Sequence, residues 1–349
     1  MRRRRAAALL AGLVPAILIA GASPAEAHTI AGMQATNYRS EISAVSPADP
    51  NISVRLLELG RRVQLTNRGT TDIAVLGYDG EPYLRVGPRG VFENTRSPTL
   101  YKNRLSVDGS VPEVPKQADA QAAPRWKRTG GGDTVRWRDQ RTRWEGADAP
   151  GVKAAPDRRQ VVVTNWTILL EAPGRVTVTG SITYIPPPAL WPWVVLAVVI
   201  FILTALMGTR SHWGLLLSGV LALLLAVDVV QSFANGTLTG DAGPVLVLKV
   251  VLGGVFATVA WIVGIISLGP LQRSQEGALV GAGVAGLFIA LFSGLQDLGT
   301  LASSQPPSPL PDGLARAGVV AALGLGVGLV AAVFVTVRAH PDVKLAPPA

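Results

Sequence analysis

"ITYIPPPALWPWVVLAVVIFILTALMGTR", Ile182 to Arg210, holds the change of pattern that decides the fold. It opens in a stretch rich in β-branched and aromatic residues, the composition of a strand. Pro186, Pro187 and Pro188 then end the strand, because proline has no amide hydrogen for a ladder and its φ is fixed. From Leu190 to Met207 the chain is apolar almost throughout, long enough as a helix to cross a hydrocarbon core of ~30 Å.

Four further apolar runs lie toward the C-terminus: Trp213 to Ala234, Val245 to Leu268, Gly277 to Leu301 and Leu314 to Val337. With Leu190 to Met207 they predict a five-helix transmembrane bundle. The segments between them sort by charge. "GTRSHW", "PLQRSQE" and the tail carry Arg210, Arg273, Arg338 and Lys344, whereas "NGTLTGDAG" and "ASSQPPSPLPDG" carry no lysine or arginine. Basic loops stay on the cytoplasmic side, so the tail 339–349 is expected inside and everything before Leu190 outside. Trp191, Trp193 and Trp213 suit the interfacial belt. Gly277/Gly281 and Gly324/Gly328 have the GxxxG spacing that lets helices approach closely.

Toward the N-terminus, "MRRRRAAALLAGLVPAILIAGASPAEA" has a basic start, an apolar middle and an Ala-x-Ala end. It predicts a secretory signal over residues 1–27, cleaved to leave His28 first; an uncleaved anchor is the alternative, and either one exports the residues from 28 to the first span. The net charge of +9 includes the four arginines of this leader. Composition agrees with a membrane protein: 48% hydrophobic, only 16% charged, mean hydropathy +0.35. There are no cysteines, so the exported part has no disulfides, thiolate metal sites or cysteine nucleophile.

Residues 28–188 read as strands. "ISVRLLEL", "RRVQLTN", "DIAVLGY", "PYLRVG", "DTVRWRDQ", "RQVVVTNWTILL" and "GRVTVTGSITYI" are short and rich in β-branched and aromatic residues, with turn chemistry between them. The expectation is an extracytoplasmic all-β, immunoglobulin-like sandwich. "SVDGSVPEVPKQADAQAAP", 106–124, is poor in apolar bulk and is expected as a mobile loop, and "IPPPALWP" as a stiff stalk. In "TVRWRDQRTRW", Trp137 alternates with Arg136 and Arg138, so a strand can bury the tryptophan and turn arginines outward. Arg136, Arg138, Arg141 and Arg143 are therefore either a solvated strand face or a surface for an anionic partner, such as lipid headgroups or an envelope polymer. Export removes nucleic acid as a partner.

Two resemblances bear on this. The segment Thr36 to Arg104, with "GYDGEPYLRVGP" and "NTRSPTLYKN", resembles the exported domain of a family of uncharacterised actinobacterial membrane proteins. That family often has histidines in a pattern R-W-H-D-H-R-x-H-W, whereas this chain has Arg138, Gln140 and Arg143 there, so a metal site implied by those histidines is in doubt. The stretch "LLLSGVLALLLAVDVVQSFANGTLTGDAGPVLVLKVVLGGVFATVAWIVG" is similar to the membrane domain of the bacterial copper-resistance proteins called CopD, with Lys249 at their lysine. The mature start "HT" and "SPAD" also resemble CopC-type copper proteins, which implies copper as a cofactor to test at His28.

Within the apolar runs, Asp228, Lys249 and Asp297 are ionisable and costly in hydrocarbon, so each needs a partner or a purpose. Helix counting puts all three toward the outer leaflet, with Gln231 and Gln296 at the same level. They are expected either to pair as carboxylate and lysine, fixing the packing, or to line a small-ion path. His28 offers an amine and an imidazole for copper, but the exported part has no second histidine, only Met33 nearby. There is no Walker loop, HExxH, dinucleotide fingerprint or hydrolase triad, so the chain is expected not to be an enzyme. Its expected role is accessory, in copper or envelope homeostasis. The alternative is a membrane-anchored module whose basic strand binds an envelope partner or anionic lipid.

Overall fold

The computed structural model describes residues 33–104 and 112–343. The predicted signal, His28, the first part of the predicted mobile loop and Lys344 lie outside the described residues. An N-terminal β domain comes first, with strands β1 Tyr38–Ser46, β2 Ile52–Leu57, β3 Arg62–Asn67, β4 Ile73–Leu76, β5 Pro82–Gly87 and β6 Gly90–Asn94. A short helix α1 Pro98–Lys102 precedes β7 Trp126–Gly130 and β8 Thr134–Arg138; helix α2 Pro150–Ala154 precedes the long hairpin β9 Gln160–Glu171 and β10 Arg175–Tyr184. β1, β6 and β7 add to the predicted strands.

The strands form an antiparallel seven-stranded sheet in the order β1-β10-β9-β4-β5-β6-β7 and a three-stranded sheet β2-β3-β8. The sheets share one core. Val63, Leu65, Val135 and Trp137 of the small sheet cluster with Val75, Leu84, Trp166, Ile168 and Val178 of the large one. This is the alternation read in "TVRWRDQ": Val135 and Trp137 are buried while Arg136 and Arg138 are half-buried on the other face.

The signature segments prove to be one hydrogen-bonded unit. Glu81 accepts from Ser97 Oγ at 2.5 Å, from Thr99 N at 3.3 Å and from Asp79 N at 3.1 Å, which ties "GYDGEP" to the start of α1. Asn94 Nδ2 donates to Pro82 O at 2.7 Å, and Tyr78 OH contacts Asn103 and accepts from Gln140 N. Burial alone would raise the Glu81 pKa, but these donors outweigh it and hold the carboxyl below its usual range. Part of the segment expected to be mobile is turned and attached: Asp119 N donates to Arg96 O at 2.8 Å and Arg96 Nη1 to Ala123 O at 3.2 Å.

After β10 come helices α3 Trp191–Met207, α4 Trp213–Thr237, α5 Gly243–Gly253, α6 Val255–Gln272 and α7 Glu276–Ile289, the last extended by a π turn Ala290–Gly294. A short α8 Gly299–Ala302 and a long α9 Asp312–Ala339 complete the bundle. Four helical segments among the described residues are long and apolar enough to cross a membrane: α4, α6, α7 with its π turn, and α9. α3 has 17 residues and α5 has 11, shorter than those four.

Two expected spans are not continuous. Val245 to Leu268 is divided between α5 and α6 at Gly254, where the paired glycines Gly253 and Gly254 weaken the helix and ψ turns to 45°. Thr258 Oγ1 donates to Val251 O at 3.1 Å, replacing a ladder bond lost at the break. Gly277 to Leu301 loses its α-helical register at the π turn, where Leu295 N reaches back to Ala290 O at 2.8 Å. The glycine spacing performs as expected in α9. A Cβ at Gly324 would come within 2.9 Å of Ile200 Cβ, and one at Gly328 within 2.6 Å of Thr204 Cβ, so both sit where α3 crosses closely. Gly281 does the same against Ser267, while Gly277 faces open space. A pair the spacing did not mark, Gly286 and Gly326, lets α7 and α9 touch backbone to backbone.

Candidate functional site

The polar residues of the apolar half gather at the end of the bundle facing the β domain. Asp228, just past the middle of the 25-residue α4, is buried and accepts from Trp261 Nε1 of α6 at 2.7 Å. Ser293 of the π turn is a second hydrogen-bonding neighbour. Three residues on, Gln231 donates through Nε2 to Ala315 O of α9 at 2.8 Å, packed against Gly318 where a side chain would collide. The π turn widens the helix locally and is followed by Gln296 and Asp297, which face the same space.

The result is a cavity of about 50 Å³ lined by Asp228, Gln231, Asn235, Ser293, Gln296 and Asp297, with the buried Met33, which precedes β1, also in its lining. That is room for on the order of one or two water molecules. Two carboxylates, three amides and two serine hydroxyls line it, and no lysine or arginine among the described residues does. Asn235 Oδ1 is buried and has no hydrogen-bond partner among the described residues. The site therefore concentrates oxygen acceptors and negative charge, and the soft donor among its described residues is the Met33 thioether.

Four of the five expected intramembrane polar residues come together here: Asp228, Asp297, Gln231 and Gln296. Lys249 does not. It pairs at 2.5 Å with Asp241, which lies earlier in the chain, in the loop that leads into α5. The same carboxylate receives Arg136 Nη1 at 2.8 Å and Thr239 Oγ1 at 2.8 Å, and Arg136 Nη2 donates to Gly240 O at 2.6 Å. Burial would raise the Asp241 pKa, but the hydrogen bonds from Lys249, Thr239 and Arg136 outweigh it and hold it at about 2.

Asp241 thus joins the two halves of the molecule, and it was not among the residues expected to matter. Its "TGD" setting in a polar loop is the only signal the sequence carries for it. Further contacts reinforce the joint. Thr36 and Gln305 exchange backbone hydrogen bonds at 3.1 and 2.8 Å, Arg39 Nε donates to Gln305 Oε1 at 3.1 Å, and Ser304 N donates to Asn37 Oδ1 at 2.9 Å. These hold the segment after Met33 against the bundle, and Met33 itself lines the cavity. Arg316, also unmarked by the sequence reading, is buried nearby and spends its charge on Ser303 O at 2.9 Å and Asp312 at 3.7 Å.

The arginines of the strand divide. Arg136 faces the bundle, and Arg141 is held by Asp139 through Nε at 2.8 Å and Nη2 at 2.7 Å, lying 4.9 Å over the Tyr78 ring. Asp139 is fully enclosed and also accepts from Trp137 Nε1 at 2.9 Å, so it organises the strand end. Arg138 and Arg143 remain half-buried beside Arg61. Among the described residues no group of three or more histidine, aspartate or glutamate side chains is placed to hold a metal ion. Comparison of the chain with protein-family models, curated proteins and solved structures finds no match.

Proposed function

We propose that the chain is a non-enzymatic accessory protein of a cell-envelope membrane whose bundle takes up a proton or small cation between Asp228 and Asp297. One observation carries this: two carboxylates and an unpaired amide oxygen face one cavity with no lining cation among the described residues to balance them. Ionisable groups are costly within apolar helices and mark ion and proton paths. The oxygen-rich lining suits hard cations and protons, and among the described lining residues the Met33 thioether is the donor that favours copper. Copper homeostasis is proposed as the setting on that thioether and on the resemblance of α4 to α6 to the CopD membrane domain.

In this reading α3 is a first crossing and α5 with α6 together a third, making five. The β domain is an immunoglobulin-like sandwich on the outer side, as the charge of the loops implies. The rival, an interaction module using the arginine strand, keeps only Arg138 and Arg143, since Arg136 and Arg141 are engaged within the molecule.

The test is cation binding by the full chain purified in detergent, using Na⁺, Ca²⁺, Mn²⁺ and Cu⁺ in separate titrations with proton release recorded. Asp228→Asn and Asp297→Asn are expected to abolish uptake while eluting as the parent does. Uptake that is equal in parent and both variants overturns the proposal. Cu⁺ binding lost in Met33→Leu supports the copper setting, and no Cu⁺ above a control membrane protein removes it.

A further inference from the structure

We infer that the cleft between the β domain and α5 binds the headgroup of an anionic phospholipid from the surrounding bilayer. The cleft is a broadly open hollow of roughly 590 Å³, lined by Glu58, Arg62, Thr239, Leu248, Lys249 and Leu252. It combines the two things such a lipid needs. Arg62 and Lys249 supply cationic donors, and Leu248 and Leu252, 58% and 63% exposed and one helical turn apart on α5, supply an apolar track for an acyl chain.

Depth favours a lipid over a soluble ligand. α5 is only 11 residues, about 16 Å long by the rise of an α-helix, and it starts at the loop that touches the β domain through Glu58 N to Leu238 O. Its lysine is therefore held near the level where a bundle in a bilayer meets headgroups. Lys249 uses one of its three donors on Asp241, leaving two for phosphate oxygens.

Charge favours an anion. Glu58 of the cleft pairs with Arg62 and is a charged neighbour of Arg138 and Arg143, which lie by Arg61 and Glu145, while Lys249 of the cleft shares Asp241 with Arg136. Arg62 and Lys249 line the cleft itself with Glu58, and burial together with the neighbouring Arg61 holds the Arg138 and Arg143 guanidinium pKa values below the ordinary one. A phosphate without its own ammonium relieves this repulsion; a zwitterionic headgroup brings a further cation and does not.

This inference needs the bundle to lie in a bilayer but shares no residue with the acid-lined cavity, so the two readings fail separately. The experiment is native mass spectrometry of the full chain released from detergent micelles holding equal phosphatidylglycerol and phosphatidylcholine. One phosphatidylglycerol is expected to stay bound with at least tenfold preference, and Arg62→Gln with Lys249→Gln to lose that preference while keeping the parent's elution volume. Should the double variant not fold, Lys249→Gln alone leaves Arg62 on Glu58 and is expected to lower retention at least threefold. Equal retention of the two lipids, retention unchanged in a folded variant, or displacement by millimolar glycerol phosphate each overturns the inference, the last because a chain-free headgroup would then suffice.

Discussion

Asp241 shows how one residue decides a joint. Three donors from two halves of the chain converge on its carboxylate, and with its pKa at about 2 against an ordinary 3.8 it favours the folded arrangement whenever it is ionised. That contribution is complete above about pH 4 and is lost as pH falls from about 4 to 2, because a depressed carboxyl must be protonated there. Protease access to the Leu238–Ala242 loop should stay low at pH 5 and rise below about pH 3, and Asp241→Asn should be accessible at both. Trp261 makes the matching prediction inside the bundle. Trp261→Phe keeps an aromatic ring, though a smaller one, and removes the donor to Asp228, and should cost about 1–3 kcal/mol, read as a lowered unfolding midpoint in detergent at fixed pH.

At the scale of elements, glycine supplies the close contact that hydrophobicity cannot supply in lipid. Helices in a bilayer gain nothing from hiding apolar side chains from water, so their contacts depend on how closely backbones can approach. A Cβ at Gly326 would lie 2.6 Å from Gly286 O, closer than real atoms come, so Gly326→Val should push α7 and α9 apart and destabilise the bundle by about 1–3 kcal/mol. Gly277→Ala is the control: Gly277 does have the GxxxG spacing but nothing within 4 Å, and its unfolding midpoint should not fall. Thermal unfolding of the two variants side by side separates them. The interruptions at Gly254 and the π turn belong to the same scale. Hydropathy windows average over them, so Val245 to Leu268 and Gly277 to Leu301 read as unbroken spans although each breaks where glycine or a polar cluster does.

For the molecule as a whole, the β domain is seated on the helices rather than tethered above them. The proline-rich stalk alone would permit either, but the Thr36–Gln305 bridge and the Arg136–Asp241 ion pair remove the freedom. The absence of cysteines makes this directly testable. Thr36→Cys with Gln305→Cys places two thiols on an antiparallel bridged pair, where the Cα separation of ~5.5 Å suits a disulfide. Under mild oxidation the purified pair should close in most molecules without loss of thermal stability, seen as a mobility shift on non-reducing electrophoresis; failure to close would mean the domain swings free.

Periodicity and composition were enough to set the strand-rich first half, the apolar second half and the burial of Trp137 with arginines on the opposite face. Each of these depends on neighbours in sequence: an alternation of two, a run of apolar residues, a proline that stops both. The same local rules drew Asp228, Asp297, Gln231 and Gln296 toward one level, since rise per residue is constant in a helix. Which of these residues meet is a matter of packing between distant segments. Helix counting puts Lys249 on the same level as Asp228, but it turns to Asp241, since a side chain's partner depends on the rotation and crossing of helices far apart in the chain. The seven-on-three division of the strands, the contact of Gly286 with Gly326 and the place of Met33 in the acid-lined cavity arise in the same way, from long-range contacts that no local pattern encodes.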